Sequence, residues 1–159
     1  MTAFAFLRSL DSVPHTLRGG VVAIGNFDGC HRGHQTVLAE ARQLAEKAGK
    51  PSIMLTFEPH PRDVFAPEPF LFRLSDGEQK ARLAAALGFS GIAILPFSRT
   101  LASVEAEAFV RSYLVDALGA SAVVVGADFH FGRGRAGTPE FLRQAGRHHG
   151  FSVHQLELV

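Results

Sequence analysis

The chain has 159 residues, 47% hydrophobic and 19% charged, with a formal net charge of +1. That is the composition of one ordinary globular domain, able to bury roughly two-thirds of its unfolded surface without disulfides or a structural metal. Lys and Arg are scattered, so nothing suggests a nucleic-acid footprint or a basic membrane patch, and no run of ~18 apolar residues offers a membrane span. The one cysteine, Cys30, excludes an internal disulfide and suits a reducing cytoplasm. The opening MTAFAFLRSL lacks the basic and long apolar regions expected of a signal peptide.

In chain order, a short apolar start and Val13-Pro14-His15 form a lead-in strand and loop. Val21-Val22-Ala23-Ile24 is an apolar strand, followed by a helix over about 33–48 whose Val37, Leu38, Ala41, Leu44, Ala45 and Ala48 share one stripe. Gly49-Lys50-Pro51 stops that helix, and residues 52–57 make a second strand. A proline-rich loop runs from Glu58 to Arg73. Ser75 then opens a helix with Glu78 as its capping-box partner, ending at Gly88. Ile92 to Leu95 is a third strand. Ser103 is expected to cap the next helix, with Phe109, Tyr113, Leu114 and Ala117 on one face. Ala122 to Val125 is a fourth strand, Thr138-Pro139 opens a last helix that stops at Gly150, and Phe151 to Val159 alternates as a fifth strand. Apolar strands alternating with helices predict an α/β fold, a Rossmann-like five-stranded parallel sheet with helices on both faces. Ligands of such sheets sit at the carboxyl ends of the strands.

Between the first core strand and its helix stands Gly25-Asn26-Phe27-Asp28-Gly29-Cys30-His31-Arg32-Gly33-His34. A glycine-rich turn entering a helix N-terminus is an anion site, because the first helical N–H groups have no internal partner and the helix dipole favours negative charge there. His31 and His34 can face one anion across Gly33, which leaves room for a phosphate to approach the backbone. Cys30 has no base placed for it and is expected to pack.

The string GNFDGCHRGH resembles the H-x-G-H signature of nucleotidylyltransferases, and its G-N-F-D-G start resembles the FMN adenylyltransferase module of bacterial bifunctional riboflavin kinase/FAD synthetases. That resemblance implies His31 and His34 as catalytic, with Gly25, Asn26, Phe27, Asp28 and Gly33 binding nucleotide. Thr56-Phe57-Glu58-Pro59-His60-Pro61-Arg62-Asp63 is similar to the family's T-F-x-P-H-P stretch, which implies Pro59, Pro61 and Asp63 as isoalloxazine neighbours. Val125-Gly126-Ala127-Asp128-Phe129-His130-Phe131-Gly132 resembles V-G-x-D-F-x-F-G. It implies Asp128, Phe129 and Phe131 as flavin contacts, although His130 stands where the pattern usually has Arg.

Gly132 to Gly137 matches G-x-G-x-x-G but follows the wrong strand and precedes a separate Thr-Pro cap, so it is not a dinucleotide fingerprint. A loop whose Arg133 and Arg135 reach phosphate oxygens fits it better. No metal site is expected from the eight histidines, since His148, His149 and His154 have no ligand spacing.

The implied reaction is transfer of AMP from ATP to FMN, giving FAD and pyrophosphate, with Mg²⁺ carried by the triphosphate. The alternatives are an H-x-G-H adenylyltransferase with another acceptor, or a flavin- or nucleotide-binding module without turnover. The family's kinase domain and its S-S-x-x-R stretch have no counterpart in these residues. The expectation is therefore a C-terminally shortened transferase domain spanning 1–159, with a mobile end, that binds nucleotide but turns over slowly.

Overall fold

The computed structural model describes residues 3–27, 32–58, 76–96 and 98–157. The expected proline loop, the Ser75 cap and the chain's last two residues lie outside them. Six strands form one parallel sheet: β1 (Ala5–Leu7), β2 (Val21–Ile24), β3 (Ser52–Glu58), β4 (Gly91–Pro96), β5 (Ala122–Gly126) and β6 (Ser152–Leu156). Their order is β1-β4-β3-β2-β5-β6, and every pairing is parallel. The sequence count of five strands is corrected to six. The lead-in segment joins the sheet as β1, a three-residue edge strand registered Ala5 to Gly91.

Alternation along the strands sorts the core onto two faces. Val21, Ala23, Met54, Ile92, Ile94 and Val124 pack against α1 (Arg32–Ala48) through Val37, Leu38, Ala41 and Ala45, and against α2 (Asp76–Ala86) through Ala81 and Ala84. Val22, Ile24, Leu55, Ala93, Leu95 and Val125 face the other way. They meet α4 (Ala106–Phe109), the π-helix Val110–Ala117 that continues it, and α5 (Pro139–His149). The strands β2, β3 and β4 march one way across the sheet with α1 and α2 on one side. The chain then returns to β5 beside β2 and continues outward to β6 with its helices on the opposite side. A constant crossover hand requires that change of face. The switch point lies between β2 and β5.

One helix boundary differs from expectation. Ser103 does not open the helix carrying Phe109. A short helix, α3 (Arg99–Ala102), comes first, capped by Ser98, whose Oγ accepts from Leu101 N at 3.1 Å. Ser103 closes it, and its hydroxyl donates to Thr100 O at 2.7 Å. The helix that follows has Glu105, not Ser103, at its N-cap. The expected shared face survives in part: Phe109 and Leu114 are buried, and Phe109 meets Tyr113 edge-on at 5.0 Å. The last helix starts as expected, with Thr138 Oγ1 accepting from Phe141 N at 3.0 Å, and ends at a left-handed Gly150.

Candidate active site

Because β2 and β5 pair in register from Val21–Ala122 to Ile24–Val125, the chain leaves both strands at the same level of the sheet. Gly25 N donates to Leu55 O at 3.2 Å, extending the ladder by one residue before the turn. Asn26 follows, and its carbonyl accepts from the Thr56 hydroxyl at 3.0 Å. Its side-chain Oδ1 is buried with no hydrogen-bond partner among the described residues. Phe27 then takes a left-handed backbone, φ 51°, with its ring 2% exposed. That ring lies over Gly25, where a Cβ would stand 3.0 Å from Phe27 Cζ, so the turn needs a glycine there. On its other side Phe27 meets the His34 imidazole edge-on, with ring centroids 5.6 Å apart. His34 and Gly33 belong to the first turn of α1. Phe27 thus braces one imidazole at a helix N-terminus. Asp28, Cys30 and His31 lie outside the described residues.

The loop after β5 turns at once, Phe129 N donating to Gly126 O at 3.1 Å. Asp128 is exposed at its tip. Phe129 and Phe131 stack at 5.7 Å and are 7% and 6% exposed, and Phe131 also meets Phe109 at 4.8 Å. Most of their surface is therefore core, leaving only their margins open to a ligand. His130 Nδ1 lies 2.9 Å from Asp128 O and 3.2 Å from Arg135 Nη2. Protonated, it donates to the carbonyl; unprotonated, it accepts from the guanidinium.

The Gly132–Gly137 stretch is not a strand-to-helix turn. An antiparallel bridge between Phe131 and Gly137 closes it around a 3-10 turn, Arg133–Arg135. Arg133 pairs with Glu105 at 3.1 Å on an exposed surface, and Arg135 contacts His130. Both arginines are exposed beside the β5 loop, each with one nitrogen on a protein partner. Pro59, Pro61 and Asp63 lie outside the described residues, but β3 delivers the chain to that segment at the same end of the sheet, directly beside β2.

Sequence reasoning missed the layer under the turn. Thr56 is fully buried, and Lys80 is 3% exposed with Nζ 3.4 Å from Thr56 Oγ1 and 3.3 Å from Phe57 O. The signal was present: Gly77, Lys80, Ala81 and Ala84 form one buried stripe of α2, and a lysine on such a stripe is out of place. A cleft of about 420 Å³ opens one strand further over, lined by Arg8, Asp11, Leu95, Pro96, Thr100 and Tyr113; none of the sequence-predicted site residues among the described ones lines it. Of the histidines set aside as metal ligands, His148 is exposed, whereas His149 is largely covered, with Nε2 3.3 Å from Glu107 Oε1. Among the described residues no three His, Cys, Asp or Glu side chains gather as metal ligands, and no helix is long and apolar enough to cross a membrane.

The chain is similar to known proteins. A bifunctional riboflavin kinase/FMN adenylyltransferase of Pseudomonas fluorescens is 43% identical over 153 residues, 96% of this chain and 49% of its own length. The protein of that name from Escherichia coli K12 is 35% identical over 92% of this chain and 46% of its own. The chain spans about half the length of these curated relatives. A crystal structure described as a macrolide-efflux protein from Streptococcus pneumoniae superposes with a TM-score of 0.78 at 27% identity, over 97% of this chain and 49% of that one. The FAD synthetase family profile matches residues 13–159, which takes in both loops at the switch point and the strands that present them. The turn, the sheet order and these likenesses agree, and the chain belongs to the FAD synthetase family.

Proposed function

We propose that this chain transfers AMP from ATP to FMN, releasing pyrophosphate and forming FAD. Beyond family membership, one observation supports the reading most: a turn with a braced histidine at a helix N-terminus and an exposed carboxylate loop share the switch point between β2 and β5. His34, with His31, binds the triphosphate, and the first N–H groups of α1 add donors. The buried Asn26 Oδ1 accepts from a hydroxyl or amino group of the nucleotide. The flavin lies toward Pro59, Pro61 and Asp63 on one side and Asp128 on the other, with Phe129 and Phe131 supporting the loop mainly from beneath.

An FMN phosphate oxygen attacks the α-phosphorus in line as the pyrophosphate oxygen leaves, so the step needs positioning and charge stabilisation and no protein nucleophile. His31 and His34 stabilise charge on the transferring group and on the leaving pyrophosphate. Mg²⁺ arrives with ATP, held by triphosphate oxygens and water; the described residues offer no cluster of ligands to hold it otherwise. A guanidinium carries five donors, so Arg133 and Arg135 can reach the phosphates while keeping Glu105 and His130. The acceptor is the product of a riboflavin kinase, an activity that the relatives' names join to this one, and the setting is cytoplasmic.

The test mixes the chain with ATP, Mg²⁺ and FMN and follows FAD by chromatography alongside pyrophosphate. Equal amounts of both, dependent on FMN, are expected. Pyrophosphate with phosphopantetheine or nicotinate mononucleotide instead would assign another acceptor, and FMN and ATP binding without pyrophosphate would make the chain a binding module.

A further inference from the structure

The group under the turn has no place in the reaction just described. An ammonium buried to 3% exposure pays a desolvation cost that simple packing by an alanine would avoid. Among its interactions, the bonds to β3 run in one direction. Lysine has only donors, so Lys80 Nζ gives hydrogen bonds to Phe57 O at 3.3 Å and to Thr56 Oγ1 at 3.4 Å. The Thr56 proton is then committed to Asn26 O at 3.0 Å. A charge at the head of such a relay polarises the hydroxyl and strengthens the bond beyond it. The relay ends on the residue before Phe27, whose left-handed backbone is unfavourable for a non-glycine residue and persists only where its surroundings fix it. Phe27 in turn contacts the His34 ring.

We propose that Lys80 is a positioning residue: through Thr56 it anchors the Asn26 carbonyl, holds the strained Gly25–Phe27 turn, and so fixes the presentation of His34 to nucleotide phosphate. This rests on the reading of the turn as the ATP site. Thr56 is the better probe, because valine matches its shape and removes only the hydroxyl, whereas emptying the Lys80 site risks the fold.

The experiment measures ATP and FMN dissociation constants by titration calorimetry for the 159-residue parent, Thr56→Val, Thr56→Ser, Lys80→Met and the Thr56→Val/Lys80→Met double variant, with folding checked by circular dichroism. Losing one such relay is expected to weaken ATP binding roughly tenfold in Thr56→Val, with FMN binding changed less than about twofold. Thr56→Ser restores parent affinity, and the double variant loses no more than the worse single one, since both remove the same relay. A role confined to stability would lower the melting temperature of Thr56→Val and leave ATP affinity at the parent value, which would overturn the proposal alone. Additive losses would also overturn it. If Lys80→Met does not fold, the Thr56 pair decides. A folded parent that binds no ATP would overturn the functional reading together with this proposal.

Discussion

At Phe27 the backbone accepts a conformation costing a non-glycine residue about 1–2 kcal/mol, and the return is a ring that covers Gly25 and stands edge-on to His34. His34 is therefore held by packing on a face that a loop histidine would lack. Removing a preorganised donor from an anion hole typically costs about 3–4 kcal/mol of transition-state stabilisation, so His34→Ala should lower adenylyl transfer ~10²–10³-fold. Because the side chain is only partly buried, thermal stability should fall little. Asp128, exposed at the tip of the β5 loop, should behave differently. Asp128→Ala is expected to weaken FMN more than ATP, measured by titration of each ligand. Near-parent turnover in His34→Ala, or equal loss of both ligands in Asp128→Ala, would contradict these assignments.

Among the elements, α5 shows how an exposed helix end is tied to the sheet. Arg143 donates to Glu140 Oε2 from Nε at 3.0 Å and from Nη2 at 2.8 Å, and its Nη1 reaches Gln155 of β6. Those hydrogen bonds first, and the guanidinium charge second, hold the Glu140 carboxyl below its ordinary value of 4.5. A depressed carboxyl stabilises the fold above its unfolded pKa and loses that contribution as pH falls through the folded one. Carbon-detected NMR titration should therefore place the Glu140 midpoint below 4.5, and Arg143→Gln should bring it back up. A midpoint unmoved by that change would remove the arginine as the cause. Solvent screening keeps the consequence for stability small.

For the whole molecule, the parallel sheet matters because it collects loops far apart in sequence at one end. Much of that was legible in the chain. The apolar runs at 21–24 and 122–125 marked strands buried on both faces, and Thr138-Pro139 and Gly150 marked both ends of α5. What was not legible depended on tertiary context. The lead-in strand was expected, but its place in the sheet was not, because only the open edge of β4 makes it a sixth member. The π-helix from Val110 has no residue-type signature. The stacking of Phe129 on Phe131, which buries most of both rings, has no pattern in the sequence. Lys80 stood on an apolar stripe, but its partner Thr56 lies 24 residues away in sequence and only the packing of α2 on β3 joins them.

The central claim is that ATP and FMN meet at the β2–β5 switch point. A crystal structure of the chain with a non-hydrolysable ATP analogue, Mg²⁺ and FMN tests it most directly. The account predicts the triphosphate against Gly25–Phe27 and His34 at the start of α1, with the isoalloxazine beside Asp128. Triphosphate density in the cleft between Arg8 and Tyr113, or flavin remote from the β5 loop, would contradict it.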